Sequence, residues 1–177
     1  MEHTLKVGDR VLLDITKWGD KEEGAKGELS KIIGHISDPS TDIPVAILES
    51  ELRTEFPQDA TLEALSYGTR VKKEDLVGRE DLRDVECFTI DPDTAKDYDD
   101  AVSLERENGI WILGVHIADV SHYVKDKSAL DREASLRCNS TYFPGKCIPM
   151  LPPELSDNLC SLREGVLRLT VSVFISI

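Results

Sequence analysis

Four aspartates lie within ten residues near the middle of the chain: Asp91, Asp97, Asp99 and Asp100. They directly follow a short apolar run that is typical of a strand. Carboxylates that converge on one spot repel one another by several kcal/mol in a low-dielectric site, and a hard divalent cation such as Mg²⁺ relieves this repulsion because it prefers oxygen ligands. Such a site suits hydrolysis of a phosphodiester. One ion lowers the pKa of the attacking water, and a second, about 4 Å away, stabilises the leaving oxygen.

Other interpretations of these aspartates can be compared with the residues. A solvated acidic turn explains most isolated acidic clusters. An EF-hand beginning at Asp91 requires Gly at the position of Lys96 and Glu at the position of Val102, so it is excluded. Asp91 and Asp93 also resemble the paired aspartates of haloacid-dehalogenase-like phosphatases, but the later acidic motif of that family is not evident downstream. The residues alone leave the turn and the metal site open.

Composition indicates a globular protein. The chain has 177 residues, of which 40% are hydrophobic, enough for a core in one or two domains. No apolar run approaches the roughly 18 residues that a membrane-spanning helix needs, and the N-terminus does not resemble a signal peptide. We therefore expect a cytoplasmic protein without a membrane partner.

The net charge does not favour nucleic acid as a partner. It is -13, from 34 acidic and 21 basic residues, the wrong sign for binding a polyanion through the overall field. The conflict disappears if acid is concentrated in a cation site or if basic surface lies elsewhere in a longer protein. The four cysteines show no C-x-x-C pair, and we predict reduced, mostly packed thiols.

The first part of the chain predicts a small β domain. Alternation favours strands from Val7 to Trp18 and from Gly27 to Gly34, and Asp42 is a candidate cap of a short helix. The stretch from Thr54 to Asp84 is polar, with weak helical periodicity around Ala60 to Leu65. It is typical of a connector.

A hairpin dominates the next part. It turns at Glu107-Asn108-Gly109, and one face of its second strand contains Trp111, Leu113, Val115 and Ile117.

Two helices and a last strand follow the hairpin. Ser128 and Asp131 resemble a capping box that begins a helix ending near Cys138. Pro152-Pro153 begins another, with Leu155, Leu159 and Leu162 on one face. The final strand, LRLTVSVFISI, lacks a following turn, so we expect the chain to end inside a domain.

Several blocks resemble one known family. The run from Gly78 to Val102, GREDLRDVECFTIDPDTAKDYDDAV, is similar to the opening of the catalytic (RNB) domain of the ribonuclease II and ribonuclease R family. VHIADVSHYV, ALDREASLR, TYFPGKCIPMLPPELSDNLCSL and RLTVSV follow in the family's order and spacing. Upstream, GDRVLLDITKW, AKGELSKIIG and EFP resemble the last strands of the cold-shock domain that precedes it.

The resemblance implies an α+β fold. Residues 1–55 would be the C-terminal part of a cold-shock, OB-type β barrel, 56–77 a connector, and 78–177 the N-terminal half of a mixed α/β RNB catalytic domain. The chain would then be truncated at both ends. The later part of the catalytic domain, with its arginine, and an S1 domain would lie beyond it. The family usually has an acidic residue where this chain has Leu167, so we do not expect the ion pair with Arg168 that the resemblance would otherwise imply.

The resemblance also implies an activity, hydrolysis of single-stranded RNA from its 3′ end to nucleoside 5′-monophosphates. Asp91, Asp97 and Asp100 would bind Mg²⁺, or alternatively Mn²⁺, and Asp99 would hold a second ion or the attacking water. Tyr142 would stack on a base near the 3′ end. We expect Asp93 to be a turn residue.

Three other polar residues lie in a family block: His116, Asp119 and His122. We expect structural contacts for them rather than catalysis. The alternative function is a non-catalytic RNA-binding or regulatory relative. On its own the 177-residue chain is expected to be inactive and to associate through its last strand.

Overall fold

The computed structural model describes residues 4–21 and 23–177. The chain divides into two compact units, Met1–Leu52 and Arg53–Ile177, with mixed helix and strand content, so the fold is α+β. No helix in the described ranges is long and apolar enough to cross a membrane.

The first unit is an antiparallel hairpin followed by a helix. Strand β1 spans Asp9–Lys17 and β2 spans Lys26–His35, with irregular register at three places along the pair. A 3₁₀ turn at Pro39–Thr41 leads into α1, Asp42–Glu49. Such bulges bend strands and increase their twist, as in the strands of an OB-type fold.

The predicted cap of α1 is wrong by a few residues. Asp42 is the first residue of the helix, and its carboxylate accepts a hydrogen bond from Arg10 at 2.5 Å. Asp38 is the residue that caps, because it accepts from the Ser40 backbone N–H at 2.9 Å and begins the 3₁₀ turn.

The second unit begins with a helix in the stretch expected to be a connector. Helix α2 spans Gln58–Ser66, and its Ala60 and Ala64 are fully buried in the main core of this unit. The core partner is α4, Ala129–Arg137. The small alanine side chains allow the two helices to approach closely. The weak apolar periodicity of this stretch does not indicate such a buried helix.

A four-stranded antiparallel sheet forms the rest of the framework. Its strands are β3 (Cys87–Phe88), β4 (Asp100–Glu107), β5 (Ile110–Ala118) and β8 (Thr170–Ser176), in the order β3-β4-β5-β8. The β4–β5 hairpin turns at Asn108 and Gly109, which both have positive φ, as a two-residue type I′ turn requires. The predicted hairpin is confirmed.

The two faces of this sheet differ in character. One face carries Ser103, Gly114 and His116, which are buried. A Cβ at Gly114 would lie 2.2 Å from Ser103 Oγ, so only glycine fits there. The face with Trp111, Leu113, Val115 and Ile117 is the predicted apolar face, but it stays half-exposed or exposed within the described chain.

The remaining elements of the second unit are short. Helix α3 spans Val120–Tyr123, and the strands β6 (Thr141–Phe143) and β7 (Lys146–Ile148) form a small hairpin that the sequence analysis did not predict. The Ser128 hydroxyl caps α4 as predicted, accepting from the Asp131 N–H at 3.1 Å. The helix predicted after Pro152-Pro153 is present at that position, but it is a π-helical turn, Leu155–Leu159.

The prediction for the cysteines is half right. All four are free thiols, but Cys87, Cys138 and Cys147 are exposed and only Cys160 is buried. Burial raises the pKa of the Cys160 thiol to about 12, and the negative charges of Asp99 and Asp119 add to the shift. Cys160 is therefore an inert core residue.

Candidate active site: the acidic loop

The acidic loop is residues 89–99, between the end of β3 and the start of β4. Asp91 lies near its beginning, Asp99 is its last residue, and Asp100 begins β4, opposite Ile117 of β5. The Asp99 carbonyl accepts a hydrogen bond from the Ala118 N–H at 2.9 Å. The last two aspartates are thus held by the edge of the sheet.

A single buried serine fixes the middle of the loop. The Ser161 hydroxyl donates to the Lys96 carbonyl at 2.6 Å and accepts from the Tyr98 N–H at 3.2 Å. The Leu162 N–H donates to the Tyr98 carbonyl at 2.8 Å. The backbone on both sides of Asp97 is therefore attached to the segment after the π-helical turn.

The four aspartates act on one another electrostatically. Partial burial raises the pKa of Asp99, and the negative charges of Asp97, Asp100 and Asp91 raise it further, in that order. Asp99 nevertheless keeps solvent exposure. The charges of the other three residues named from the sequence thus act on Asp99.

The structure does not bring the four side chains into a closed ligand cluster. Within residues 4–21 and 23–177, no three His, Cys, Asp or Glu side chains are grouped closely enough to hold a metal ion. Mutual repulsion of carboxylates favours such separation. The donors nevertheless fit a hard cation, because all four are carboxylates with oxygen ligands.

Tyr142 lies on β6 and reaches the acidic loop. Its side chain is 65% exposed, and its hydroxyl donates a hydrogen bond to Asp97 Oδ2 at 2.5 Å. That hydrogen bond, with partial burial, raises the pKa of Tyr142 to about 12. The predicted base-stacking residue is therefore beside a predicted metal ligand, with most of its ring open to solvent.

The other polar residues of the family block make structural contacts, in line with expectation. His116 Nδ1 and Nε2 lie 2.9 Å and 3.0 Å from the hydroxyls of Ser172 and Ser103, and burial lowers the pKa of this histidine. Asp119 accepts from Arg79 at 2.5 Å, and His122 Nε2 lies 3.1 Å from Asp75 Oδ1.

Arg168 forms hydrogen bonds with neutral groups and, as expected from Leu167, no ion pair at that position. Its guanidinium donates to the carbonyls of Ser161 and Leu167 and to Asn158 Oδ1, at 2.8–3.0 Å. No carboxylate within the described chain pairs with it. The Ser161 carbonyl accepts one of these bonds, and Ser161 is a site residue that the sequence analysis did not identify. The only signal in the sequence was a lone serine in an apolar stretch.

Two family models match the chain. The RNB domain model covers residues 79–177, and the cold shock domain model covers residues 1–57. The chain belongs to the RNB family. Its fold is accordingly part of a cold-shock, OB-type domain followed by part of an RNB domain.

Curated RNB-family relatives share about half of the residues. The chain is 53% identical over 177 residues to "Ribonuclease R" of Chlamydia pneumoniae, covering 98% of this chain and 26% of the relative. It is 48% identical over 171 residues to "Ribonuclease R" of Thermotoga maritima, covering 95% and 24%. The chain thus spans about a quarter of the length of these relatives.

A solved RNB-family structure has the same fold. Mycoplasma genitalium RNase R in complex with ribose methylated single-stranded RNA aligns with a TM-score of 0.86 and 30% identity, over 99% of this chain and 28% of that one. The same protein in complex with double-stranded RNA aligns with a TM-score of 0.85.

Proposed function

We propose that this chain is part of a metal-dependent 3′-to-5′ exoribonuclease that hydrolyses single-stranded RNA to nucleoside 5′-monophosphates. One observation carries the proposal: in an RNB-family chain, the charges of Asp91, Asp97 and Asp100 all act on Asp99. The name of the curated relatives, ribonuclease R, supports the same activity. The proposal concerns the whole protein, because the chain spans about a quarter of those relatives.

The metal would be Mg²⁺, or alternatively Mn²⁺, bound by Asp91, Asp97 and Asp100, with Asp99 holding a second ion or the attacking water. When bound, it would supply a Lewis acid that lowers the pKa of water and stabilises negative charge on the phosphate. The fit rests on the donors: four carboxylates in mutual repulsion gain most from a divalent cation, although they would have to move together to share one.

The chain's own residues would position the reacting groups. Ser161 fixes the loop backbone on both sides of Asp97, and Ala118 fixes Asp99. The Tyr142 hydroxyl orients Asp97 by donating to one of its oxygens. The ring of Tyr142, which is exposed, would stack on a base of the strand.

RNA would be the partner, and its 3′ end would reach the aspartates. The Mycoplasma genitalium protein of the same fold was solved with single-stranded and with double-stranded RNA. A cytoplasmic location would follow from this substrate. The non-catalytic alternative would bind RNA without hydrolysing it, and the retention of all four aspartates favours the enzyme.

The test is Asp99→Asn in a protein that carries this chain at the length of its relatives. We expect loss of hydrolysis of 5′-labelled single-stranded RNA with RNA affinity nearly unchanged, because binding is spread over many phosphate and stacking contacts. Asp93→Asn, a charge-matched change in the same loop, should retain both. A variant at Asp99 that keeps more than about a tenth of the turnover, a loss of less than ~1.4 kcal/mol in barrier terms, would remove Asp99 from the mechanism. RNA binding without hydrolysis by the unsubstituted protein would favour the alternative.

A further inference from the structure

A cleft of about 290 Å³ lies against the acidic loop. It is lined by Ala95, Lys96, Tyr98, Asp157 and Arg163. Lys96 and Tyr98 of the acidic loop line this cleft, whereas Asp97 and Asp99, which alternate with them along the chain, do not. We call this feature the Lys96–Arg163 cleft.

Its two cationic side chains have no partner. Among the described residues, neither the Lys96 ammonium nor the Arg163 guanidinium takes part in a side-chain hydrogen bond or an ion pair. Both residues are exposed. The two side chains are therefore free to bind an anionic ligand, although the chain as a whole has a net charge of -13.

A third cation strengthens the local positive field. The Arg168 guanidinium donates to the Ser161 carbonyl at 3.0 Å, and the same carbonyl accepts from the Arg163 backbone N–H at 2.9 Å, so Arg168 lies beside the segment that carries Arg163. Asp157 is the only acid in the lining, and it accepts a hydrogen bond from the Ser156 hydroxyl at 2.7 Å. Cations thus outnumber the acid at this cleft.

The scaffold fixes the spacing of these groups. Ser161, two residues before Arg163 in the chain, is fully buried. Its hydroxyl forms hydrogen bonds with the backbone of Lys96 and of Tyr98. The Arg163 N–H in turn donates to the Ser161 carbonyl at 2.9 Å. The cleft therefore does not depend on a mobile loop to bring its lining together.

This combination of groups suits one class of ligand. Two cations attract a phosphodiester, and the ring of Tyr98 can contact the attached base or sugar. Because Lys96 is next to Asp97 in sequence, a strand bound in the cleft would continue towards the aspartates within a few nucleotides. We propose that the Lys96–Arg163 cleft binds a backbone phosphate of single-stranded RNA a short distance from the hydrolysed bond. This inference rests on the proposed function.

The test compares two double variants of the 177-residue chain. Lys96→Gln with Arg163→Gln removes the cleft cations; Lys73→Gln with Lys125→Gln removes two exposed charges on other turns of the same unit. Binding of a fluorescent 2′-O-methyl single-stranded oligonucleotide is measured in EDTA at 50–200 mM salt. Thermal unfolding of each variant verifies that it is folded.

We expect the cleft variant to bind at least tenfold more weakly at 100 mM salt. The slope of log K against log salt should fall by about 0.7, because one lost phosphate contact on a single strand contributes about that much. The control variant should bind within about twofold of the unsubstituted chain. A cleft variant that equals the control in affinity and slope overturns the proposal.

Failure of the cleft can be told apart from failure of the proposed function. Mn²⁺ affinity is measured on the same three proteins. Normal Mn²⁺ binding with unchanged RNA affinity in the cleft variant overturns the cleft and leaves the metal site standing. Weak RNA binding by the cleft variant in a chain that binds no Mn²⁺ supports the cleft and overturns the metal site.

Discussion

The Tyr142 hydroxyl donates a hydrogen bond to Asp97 Oδ2 at 2.5 Å, although the two residues are 45 positions apart. The contact joins the small β6–β7 hairpin to the acidic loop. We propose two separable roles for Tyr142: its ring would stack on a base, and its hydroxyl would orient Asp97, which we propose as a metal ligand. Groups that orient metal ligands typically change metal affinity by 10- to 100-fold when removed.

Tyr142→Phe should separate these roles. The phenylalanine ring retains stacking but cannot donate to Asp97, so we expect Mn²⁺ affinity to fall about tenfold while affinity for single-stranded RNA in EDTA changes less than about twofold. Tyr142→Ala should weaken RNA binding as well, by about 1–3 kcal/mol. Calorimetry and fluorescence anisotropy measure the two affinities. If Tyr142→Phe binds Mn²⁺ like the unsubstituted chain, the hydrogen bond does not orient a ligand.

Glu133 is the most constrained ion-pair partner in the second unit. It is 3% exposed and accepts from Arg53 at 2.7 and 2.8 Å and from Arg137 at 2.9 Å. Glu133→Ala removes the carboxylate that pairs with both arginines and leaves Arg137 only the carbonyls of Pro149 and Glu55, so it should lower the free energy of unfolding by about 3 kcal/mol in urea titrations.

The control for that measurement lies on the same helix. Arg132 and Asp59 form an exposed pair at 3.4 Å, and exposed pairs contribute little. Arg132→Ala should therefore cost much less than Glu133→Ala. Equal losses would mean that the Glu133 contacts are no stronger than surface contacts.

Stability should depend on pH through His116. Burial lowers its pKa in the folded chain, so the folded state binds fewer protons than the unfolded state below about pH 6.5. The stability contributed by neutral His116 is present above that pH and is lost as pH falls towards the folded pKa, at up to about 1.4 kcal/mol per pH unit.

His116→Gln isolates this effect, because glutamine does not titrate. Urea unfolding at pH 8 and pH 5.5 should show a smaller loss of stability on acidification for His116→Gln than for the unsubstituted chain. The same loss in both proteins would place the pH dependence elsewhere.

The edge of the four-stranded sheet is expected to self-associate. Strand β8 is the last in the order β3-β4-β5-β8, and its Val171, Val173 and Ile175 are exposed. An edge lysine disfavours strand pairing, so Val173→Lys should shift sedimentation towards the monomer. Leu62→Lys, at an equally exposed apolar residue of α2, should not. A chain that is monomeric at all concentrations would contradict the prediction.

The sequence predicted local features better than long-range ones. The β4–β5 hairpin has alternation and an Asn-Gly turn, and α4 has Ser128 as its cap, so short-range signals were sufficient. The packing of Ala60 and Ala64 depends on a partner helix far along the chain, and small side chains give little periodic signal.

The same distinction applies to the candidate site. The four aspartates are contiguous enough to be recognised from their spacing. The links from Tyr142 to Asp97 and from Ser161 to the loop backbone cross 45 and 63–65 residues, and no local pattern encodes them. These links can only be found in three dimensions.

The central claim, that the acidic loop binds a divalent cation, is most directly tested by calorimetric titration of the 177-residue chain with Mn²⁺. We predict saturable binding that Asp99→Asn weakens at least tenfold and that Asp93→Asn, which removes the same charge from the same loop, leaves within about twofold. Site-specific coordination accounts for such a difference, whereas a diffuse acidic field does not. Equal weakening by the two substitutions, or no saturable binding by the unsubstituted chain, would contradict the claim.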